Sequence, residues 1–433
     1  MKNLTAVVLA LVFLTSCAFI EPKASASGEP EIESTQANAP VNLPEIKPET
    51  PPSVLYDLYI EADGISLAKF EPEKGCYTGA YIEEDVLFNG EIEEFEEQIG
   101  VSQPLYARYM RLDEEYPYPF VLSCVKNLKT PVLIIEPTEN GSWFDEAALL
   151  KTAAAIGSVR VPTFVVFYPI TEKSRFDVDG YVAFFQKAYE QFSSLAPNAA
   201  IIWSIPHYDI QNKNAFYPGD RYTDWIGLSI LSEITGGETV YDSIYDKIDY
   251  MYYLYQRTKP LFLTVGISHY STINNTYYTA EAKTALSGLY EKVRLSYPRI
   301  KSVLYLDVNY ADKNVEKDGN NYLLSEEETL SAAYSSALLP GHFLKELEKP
   351  DIVQKASLAI KSPFKAVKFE DKYYIAKNSI EFDFDDREKR KAIGRTHLFD
   401  DAEYYDAARI LPAMNLDLFE DAENASLYLT RNR

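Results

Sequence analysis

From residue 76 to residue 347 the chain alternates between short apolar runs and longer amphipathic stretches. The runs are "CYTGAYI" (76–82), "PLYARYMRL" (104–112), "PVLIIEP" (131–137), "VPTFVVFYP" (161–169), "AAIIWSIP" (199–206), "DWIGLSIL" (224–231), "PLFLTVGIS" (260–268) and "SVLYLDVNY" (302–310). Each is rich in β-branched and aromatic residues and is bounded by Pro, Gly, Asn or Asp, which predicts strands. The spacing between them predicts helices over 145–158, 178–196, 241–258, 279–296 and 325–339, with Ser325 and Glu328 placed as a capping box for the last. Eight strands alternating with helices predict an α/β fold, a (β/α)8 TIM barrel. A doubly wound open sheet is the alternative, but no Gly-rich phosphate loop follows the first strand.

In such a barrel the functional face lies at the C-terminal strand ends. The residues expected there include Glu83, Arg111, Glu136, Tyr168, His207, Tyr208, Glu233, His269, Tyr270, Asp307, Asn309 and Tyr310. Aromatic rings stack on the apolar faces of sugars, and carboxylates and amides meet hydroxyls, so this mixture suits a polysaccharide. No Ser/His/Asp order or GxSxG elbow accompanies the histidines. No CxxC or His/Cys cluster indicates a metal, and no cofactor is expected.

The chain opens "MKNLTAVVLALVFLTSCAF", with an apolar run too short to span a bilayer as a permanent helix. Its "LTSC" ending, Leu14 to Cys17, resembles a bacterial lipobox. The resemblance implies a signal segment over 1–17, lipidation of Cys17, and an extracytoplasmic protein anchored to the membrane through that lipid. Residues 18–53 are dominated by Pro, Glu, Ser and Ala and cannot bury enough apolar surface to offset ordering, so a disordered linker is expected. The remaining 54–433, with most of the 34 tyrosines and 22 phenylalanines, is ample for a large core, the barrel being expected over 54–349. A net charge of −23 disfavours nucleic acid as a partner. Cys76 and Cys124 are left either as buried free thiols or as one disulfide.

The segment "FYPGDRYTDWIGLSIL" (216–231) resembles the loop and sixth strand of glycoside hydrolase family 26, the β-mannanase group, which are retaining enzymes on a (β/α)8 barrel. "GCYTGAYI" (75–82), "TPVLIIEP" (130–137) and "AAIIWSIPHYD" (199–209) resemble its first, third and fifth strands in order. The resemblance implies a glycan cleft shaped by Tyr217 and Asp220 of the turn, with Trp203 in place; Pro218-Gly219 and Asp220 equally suit plain turn chemistry. It also implies two catalytic glutamates, one after the fourth strand and one ending the seventh. The matching positions here are Pro169 and Val265. Proline cannot donate a proton and valine has no lone pair, so the family's two-carboxylate mechanism has no carrier at those positions. Glu136, Glu172, Glu233 and Asp307 are the carboxylates that could substitute.

After about residue 349 the pattern changes, and a small α+β domain is expected over 350–433. "FKAVKFEDKYYIAKNSIEFDFDD" (364–386) alternates like a hairpin, a basic patch spans 387–400, 402–415 reads as a helix, and 416–431 as two strands around a turn. "GRTHLFDDAEYYDAARILPAMNLDLFEDAENASLYLT" (394–430) resembles the stalk-like domain named after the N-terminal region of copper amine oxidases, which implies envelope attachment and no copper. Three readings follow. The first is a degenerate, glycosidase-like barrel that binds polysaccharide or cell-wall glycan without cleaving it. The second is an active glycoside hydrolase with relocated carboxylates. The third is a structural envelope protein with a protein partner.

Overall fold

A strand buried on both faces reads as a near-continuous apolar run, and the barrel strands are of this kind. The computed structural model describes residues 53–432 apart from 86, 89, 140–144, 168–177, 236–237, 240–242, 272–274, 312–318, 349–354, 381–393 and 401. After a first strand β1 (Val54–Ser66), the chain runs β2 (Cys76–Tyr81), α1 (Ile92–Ile99), β3 (Leu105–Arg111), α2 (Tyr118–Lys126), β4 (Thr130–Glu136), α3 (Glu146–Val159), β5 (Thr163–Phe167), α4 (Val178–Leu195) and β6 (Ala199–Pro206). It continues with β7 (Trp225–Ser232), α5 (Ser243–Tyr255), β8 (Leu261–Ile267), α6 (Thr279–Ser296), β9 (Ile300–Leu306) and α7 (Glu328–Ala337). β2 to β9 pair in parallel with their sequence neighbours, and β9 pairs back onto β2, Ser302 opposite Tyr77 and Leu306 opposite Tyr81. The sheet is closed, as the alternation predicted.

Two apolar clusters divide the strand residues by parity. Tyr77, Leu105, Val132, Phe164, Ile202, Trp225, Phe262 and Leu304 fill the barrel interior. Their odd-even partners, among them Tyr106, Leu133, Val165, Trp203, Leu228, Val265 and Tyr305, face the helices together with Phe95, Ile156, Phe185, Tyr252, Leu286 and Tyr334. α1 and α2 were not among the helices predicted. α1 carries Ile92, Phe95 and Ile99 on its buried face at helical spacing, and it stops at Gly100, whose φ of +77° favours glycine. Asp145 caps α3 by accepting from Ala148 N–H at 2.9 Å. The expected capping box of α7 is not formed. Glu327 caps that helix, accepting from Thr329 N–H at 3.2 Å, and the Ser325 hydroxyl instead donates to Asp85 at 2.7 Å.

The bottom of the barrel is closed by residues 67–75, between β1 and β2. Phe70 meets Phe164 edge-on at 5.7 Å, and Trp225 donates its indole N–H to the Lys69 carbonyl at 2.8 Å. Arg299 and Glu71 form a two-pronged ion pair, Nε to Oε1 at 2.9 Å and Nη2 to Oε2 at 3.1 Å, each residue 1% exposed. The guanidinium also donates to the Gln256 carbonyl at 2.7 Å. A buried pair of this kind needs such extra partners to offset desolvation.

The second sheet comprises β10 (Lys355–Lys361), β11 (Ala366–Phe369), β12 (Lys372–Ala376), β13 (His397–Phe399), β14 (Ala402–Asp406), β15 (Leu416–Asp421) and β16 (Ser426–Arg431), with helix α8 (Ala407–Ala413) after β14. β1 is its central strand. It pairs antiparallel with β10 and β11 in succession along one edge, and in parallel with β16 on the other. The boundary expected at residue 54 therefore moves to about residue 66, and the small domain is built from two separated pieces of chain. Leu58, Ile375, Ile410, Leu427 and Leu429 form its core. The helix expected over 402–415 is shorter, because 402–406 pair as a strand and Asp406 then caps α8 through Ala408 N–H at 3.0 Å. The closing hairpin is present, Leu416 opposite Arg431 and Asp421 opposite Ser426. Of the basic patch over 387–400, residues 387–393 lie outside the described residues. Gln256 ties the two domains through paired hydrogen bonds with the Lys361 backbone, at 2.8 and 2.9 Å.

Candidate functional site: the barrel mouth

Inward parity carried to the C-terminal strand ends brings Tyr81, Glu83, Tyr109, Arg111 and Glu136 to one side of the mouth, on β2 to β4 or just beyond them. The Tyr81 and Tyr109 rings meet edge-on, centroids 4.9 Å apart, and the Tyr81 hydroxyl donates to Glu84 at 2.7 Å. Arg108 is ion-paired with Glu83. Arg111 sits opposite Glu136 in register and reaches Glu114 at 3.2 Å and Asp113 at 3.4 Å. Partial burial raises the Glu83 carboxyl above the usual carboxylate range, against the pull of Arg108. Partial desolvation and then the Glu114 charge raise Glu136, against Arg111. The result is a rim of tyrosine edges and polar forks, with two carboxyls raised by partial burial.

The other expected residues divide. His207 opens a short 3-10 turn after β6; its ring contacts the Ser229 backbone and lies 5.5 Å from Tyr208, which is 56% exposed. Glu233 follows β7 at the rim and is partly exposed. Past β8, Tyr270–Ser271, Thr276–Tyr277 and Asn320–Asn321 make a small antiparallel sheet, in which the Tyr270 ring lies tilted 4.6 Å from Tyr277 and its hydroxyl donates to Asn275 at 2.9 Å. Asn309 bridges to Asn321 beside it. His269 is 2% exposed and its Nδ1 finds no partner among the described residues. Tyr168, Pro169 and Glu172 lie outside the described residues.

Four expectations are corrected by side-chain direction. Trp203 is fully buried on the helix side, packed 5.0 Å from Tyr217 and 6.4 Å from Tyr255, where no ligand in the mouth touches it. Tyr217 and Asp220 hydrogen-bond to each other in the turn that leads into the start of β7, away from the rim, with Gly219 at φ +101°. Turn chemistry accounts for them. Val265 also faces the helices; the inward positions around it are Thr264, Gly266 and Ser268. The position matched to the nucleophile thus shifts by one, and the neighbours that do face inward carry no carboxylate. Asp307 is fully buried and accepts from Leu324 N–H at 2.7 Å. Tyr81, Glu84, Arg108 and Tyr109 were missed as candidates. Period two counted from the barrel axis could have found Tyr81 and Tyr109; Glu84 and Arg108 have the opposite parity and are tied to the rim only by their bonds to Tyr81 and Glu83.

Cys76 and Cys124 are buried free thiols. Burial pushes Cys124 up to about 12 and Cys76 higher, so both are inert as nucleophiles. Among the described residues no cluster of His, Cys, Asp or Glu could hold a metal, and no helix is long and apolar enough to cross a membrane.

Burial holds His207, His269 and His342 down to about 4. In the unfolded chain each takes up its proton near 6.5. Between those values the unfolded state binds more protons, so stability should fall as the pH is lowered from about 6.5 to about 4 and level off below. His269, the most buried, should supply a share on the order of 3 kcal/mol. Urea midpoints at the two ends of this window, for the native chain and for His269→Gln, check this; an equal drop in both would exclude His269 as the source.

The sequence matches no family model and no curated protein. Among solved structures, a modular endo-β-1,4-mannanase of glycoside hydrolase family 26 from Cellulomonas fimi is similar over 78% of this chain and 93% of that chain, at 11% identity and a TM-score of 0.46. A family 26 β-mannanase from Bacteroides ovatus is similar over 65% of this chain and 92% of that one, at 12% identity and a TM-score of 0.45. A family 113 β-1,4-mannanase is similar over 63% and 99%, at 11% identity and a TM-score of 0.41.

Proposed function

We propose that the barrel mouth binds a polysaccharide or cell-wall glycan without cleaving it, in a lipoprotein anchored outside a bacterial cell through Cys17. The observation that carries this reading is the composition of the rim. Tyr81 and Tyr109 stand against Glu84, Arg108, Arg111 and Glu136, while Thr264, Gly266 and Ser268 occupy the inward positions where a nucleophile would be expected. Rings and polar forks suit stacked, hydroxyl-rich rings, and retaining hydrolysis needs two carboxyl groups about 5–5.5 Å apart. The small second domain serves in this reading as an envelope-side stalk.

Full-length protein with Cys17→Ser, which removes the lipid, tests it. Mannans, other β-glycans and peptidoglycan are assayed for pull-down and for released reducing ends together. Binding without release is expected, with Tyr109→Ala weakening it at least about tenfold, an effect of about 1.4 kcal/mol. One observation favours the hydrolase reading: Glu83 and Glu136, both held above the usual carboxylate range, lie on either side of β3. Release above background that disappears in Glu136→Gln would replace binding by hydrolysis. Neither binding nor release would move the function to a protein partner.

A further inference from the structure

Tyr277 is 69% exposed, and no aromatic side chain among the described residues is more so. It lies on the outer strand of the small antiparallel sheet past β8. Tyr277 pairs with Tyr270, Tyr270 pairs with Asn321, and Asn321 bridges to Asn309. Residues directly opposite in antiparallel strands share a face, so two rings and two amides form one row. The two rings are 4.6 Å apart, and the Tyr270 hydroxyl donates to Asn275 at 2.9 Å, which fixes the inner ring. At its other end the row joins the barrel. Just before Asn309, Leu306 lies opposite Tyr81, and Asp307 N–H donates to the Tyr81 carbonyl at 3.0 Å. From β2 through β9, Asn320–Asn321 and Tyr270–Ser271 to Thr276–Tyr277, the strands stand side by side at spacings of about 4.8 Å. The rim that begins at Tyr109 and Tyr81 is thereby carried on to a second pair of tyrosines, farther off than one sugar ring reaches.

We propose that Tyr277 and Tyr270 are a second stacking platform, so that the mouth takes a stretch of neutral polysaccharide several sugars long, one sugar on this pair and others against Tyr81 and Tyr109. Aromatic faces and amides suit sugar rings and their hydroxyls. Charge selects the class of glycan. Residues 268–280 and 319–329 contain three glutamates, Glu326 to Glu328, and no Lys or Arg. Glu326 accepts from the Asn321 amide at 2.7 Å, which places one of these acids beside the row. On the Tyr81–Tyr109 side, Arg108 and Arg111 already hold Glu83 and Glu114. A uronate or phosphate would meet acids at one end of the arc and neutralised cations at the other, whereas a neutral sugar meets no like charge. The inference rests on the binding role proposed above, to which it adds the length and the charge of the ligand.

Calorimetric titration of the full chain carrying Cys17→Ser tests it, with hexaoses and trioses of β-mannan, β-glucan and β-xylan and with the β-mannuronate hexamer. At least one neutral hexaose should bind at least about tenfold tighter than its triose, and by a similar factor tighter than the hexauronate. Tyr277→Ala should erase most of the advantage of the hexaose, and Tyr277→Phe should keep it, because stacking needs the ring and not the hydroxyl. Tyr277 is exposed, so the melting temperature of Tyr277→Ala should match that of the parent chain. An unchanged hexaose affinity in Tyr277→Ala overturns the second platform, and a loss in Tyr109→Ala alone would then leave the binding role standing. A loss in Tyr277→Ala with none in Tyr109→Ala overturns the span between the two pairs. A hexauronate bound as tightly as the neutral hexaose overturns the choice of a neutral chain, and no binding by any hexaose overturns both the platform and the binding role.

Discussion

Replacing Arg299 by alanine is expected to destabilise the protein by about 3–5 kcal/mol, the cost of leaving a buried charge unpaired. Arg299 is 1% exposed and holds both oxygens of Glu71, itself bonded to Ala68 N–H at 2.8 Å. Without the guanidinium the buried Glu71 carboxylate loses both of its close cationic bonds and keeps the Ala68 N–H, which weakens the hold on residues 67–75. Denaturant titration gives the number. The double variant Glu71→Leu with Arg299→Met should recover most of the loss, because neither charge is then stranded. A loss under about 1 kcal/mol for Arg299→Ala would mean that the pair is solvated and the plug is held by apolar contacts alone.

Trp225→Ala should cost a similar amount, about 3–5 kcal/mol for a large buried aromatic side chain. The indole has no exposed surface, packs edge-on against Phe164 at 5.4 Å and near Phe262 at 6.3 Å, and donates to Lys69. Trp225→Phe separates the contributions. It keeps most of the apolar contact and strands the Lys69 carbonyl, so its loss should be about 1–3 kcal/mol. If Trp225→Phe proved as damaging as Trp225→Ala, the hydrogen bond to the plug would outweigh the packing. Because Arg299 and Trp225 grip the same segment, their effects should be less than additive.

The barrel was legible in the sequence because its strands are buried on both faces. All eight residues of "AAIIWSIP" are buried, and the strand runs over 199–206 as expected. The same property hides which way each side chain points: where both faces are apolar, the pattern gives the period and not the phase. Trp203 and Val265 are expected at the mouth from the family resemblance, which aligns positions along a strand without fixing that phase, and both face helices. Asp307 shows a related limit, since a carboxylate at a strand end reads as solvent-facing, whereas this one is fully buried and accepts from Leu324 N–H. The "YPGD" turn is distinctive in sequence because its backbone is demanding, with Gly219 at φ +101° and Pro218 accepting from Gln186 at 3.0 Å. Distinctiveness there reflects turn geometry that seats β7, not contact with a ligand. The role of β1 was illegible for another reason. Its partners lie about 300 and 370 residues further on, and nothing local in "VLYDLYIEADGIS" names them.

That arrangement has a mechanical consequence. β1 and β16 are parallel neighbours, Asp57 opposite Ser426 and Ile60 opposite Leu429, and the whole barrel is spliced into the chain between them. Tension applied at Val54 and at Arg431 pulls this pair in opposite directions along their length, loading their hydrogen bonds together in shear instead of unzipping them one by one. Until that sheet gives way, the line of force passes from one strand to its neighbour and bypasses residues 67–347. A molecule held by a tether ahead of β1 and tugged beyond β16 would keep its mouth undeformed.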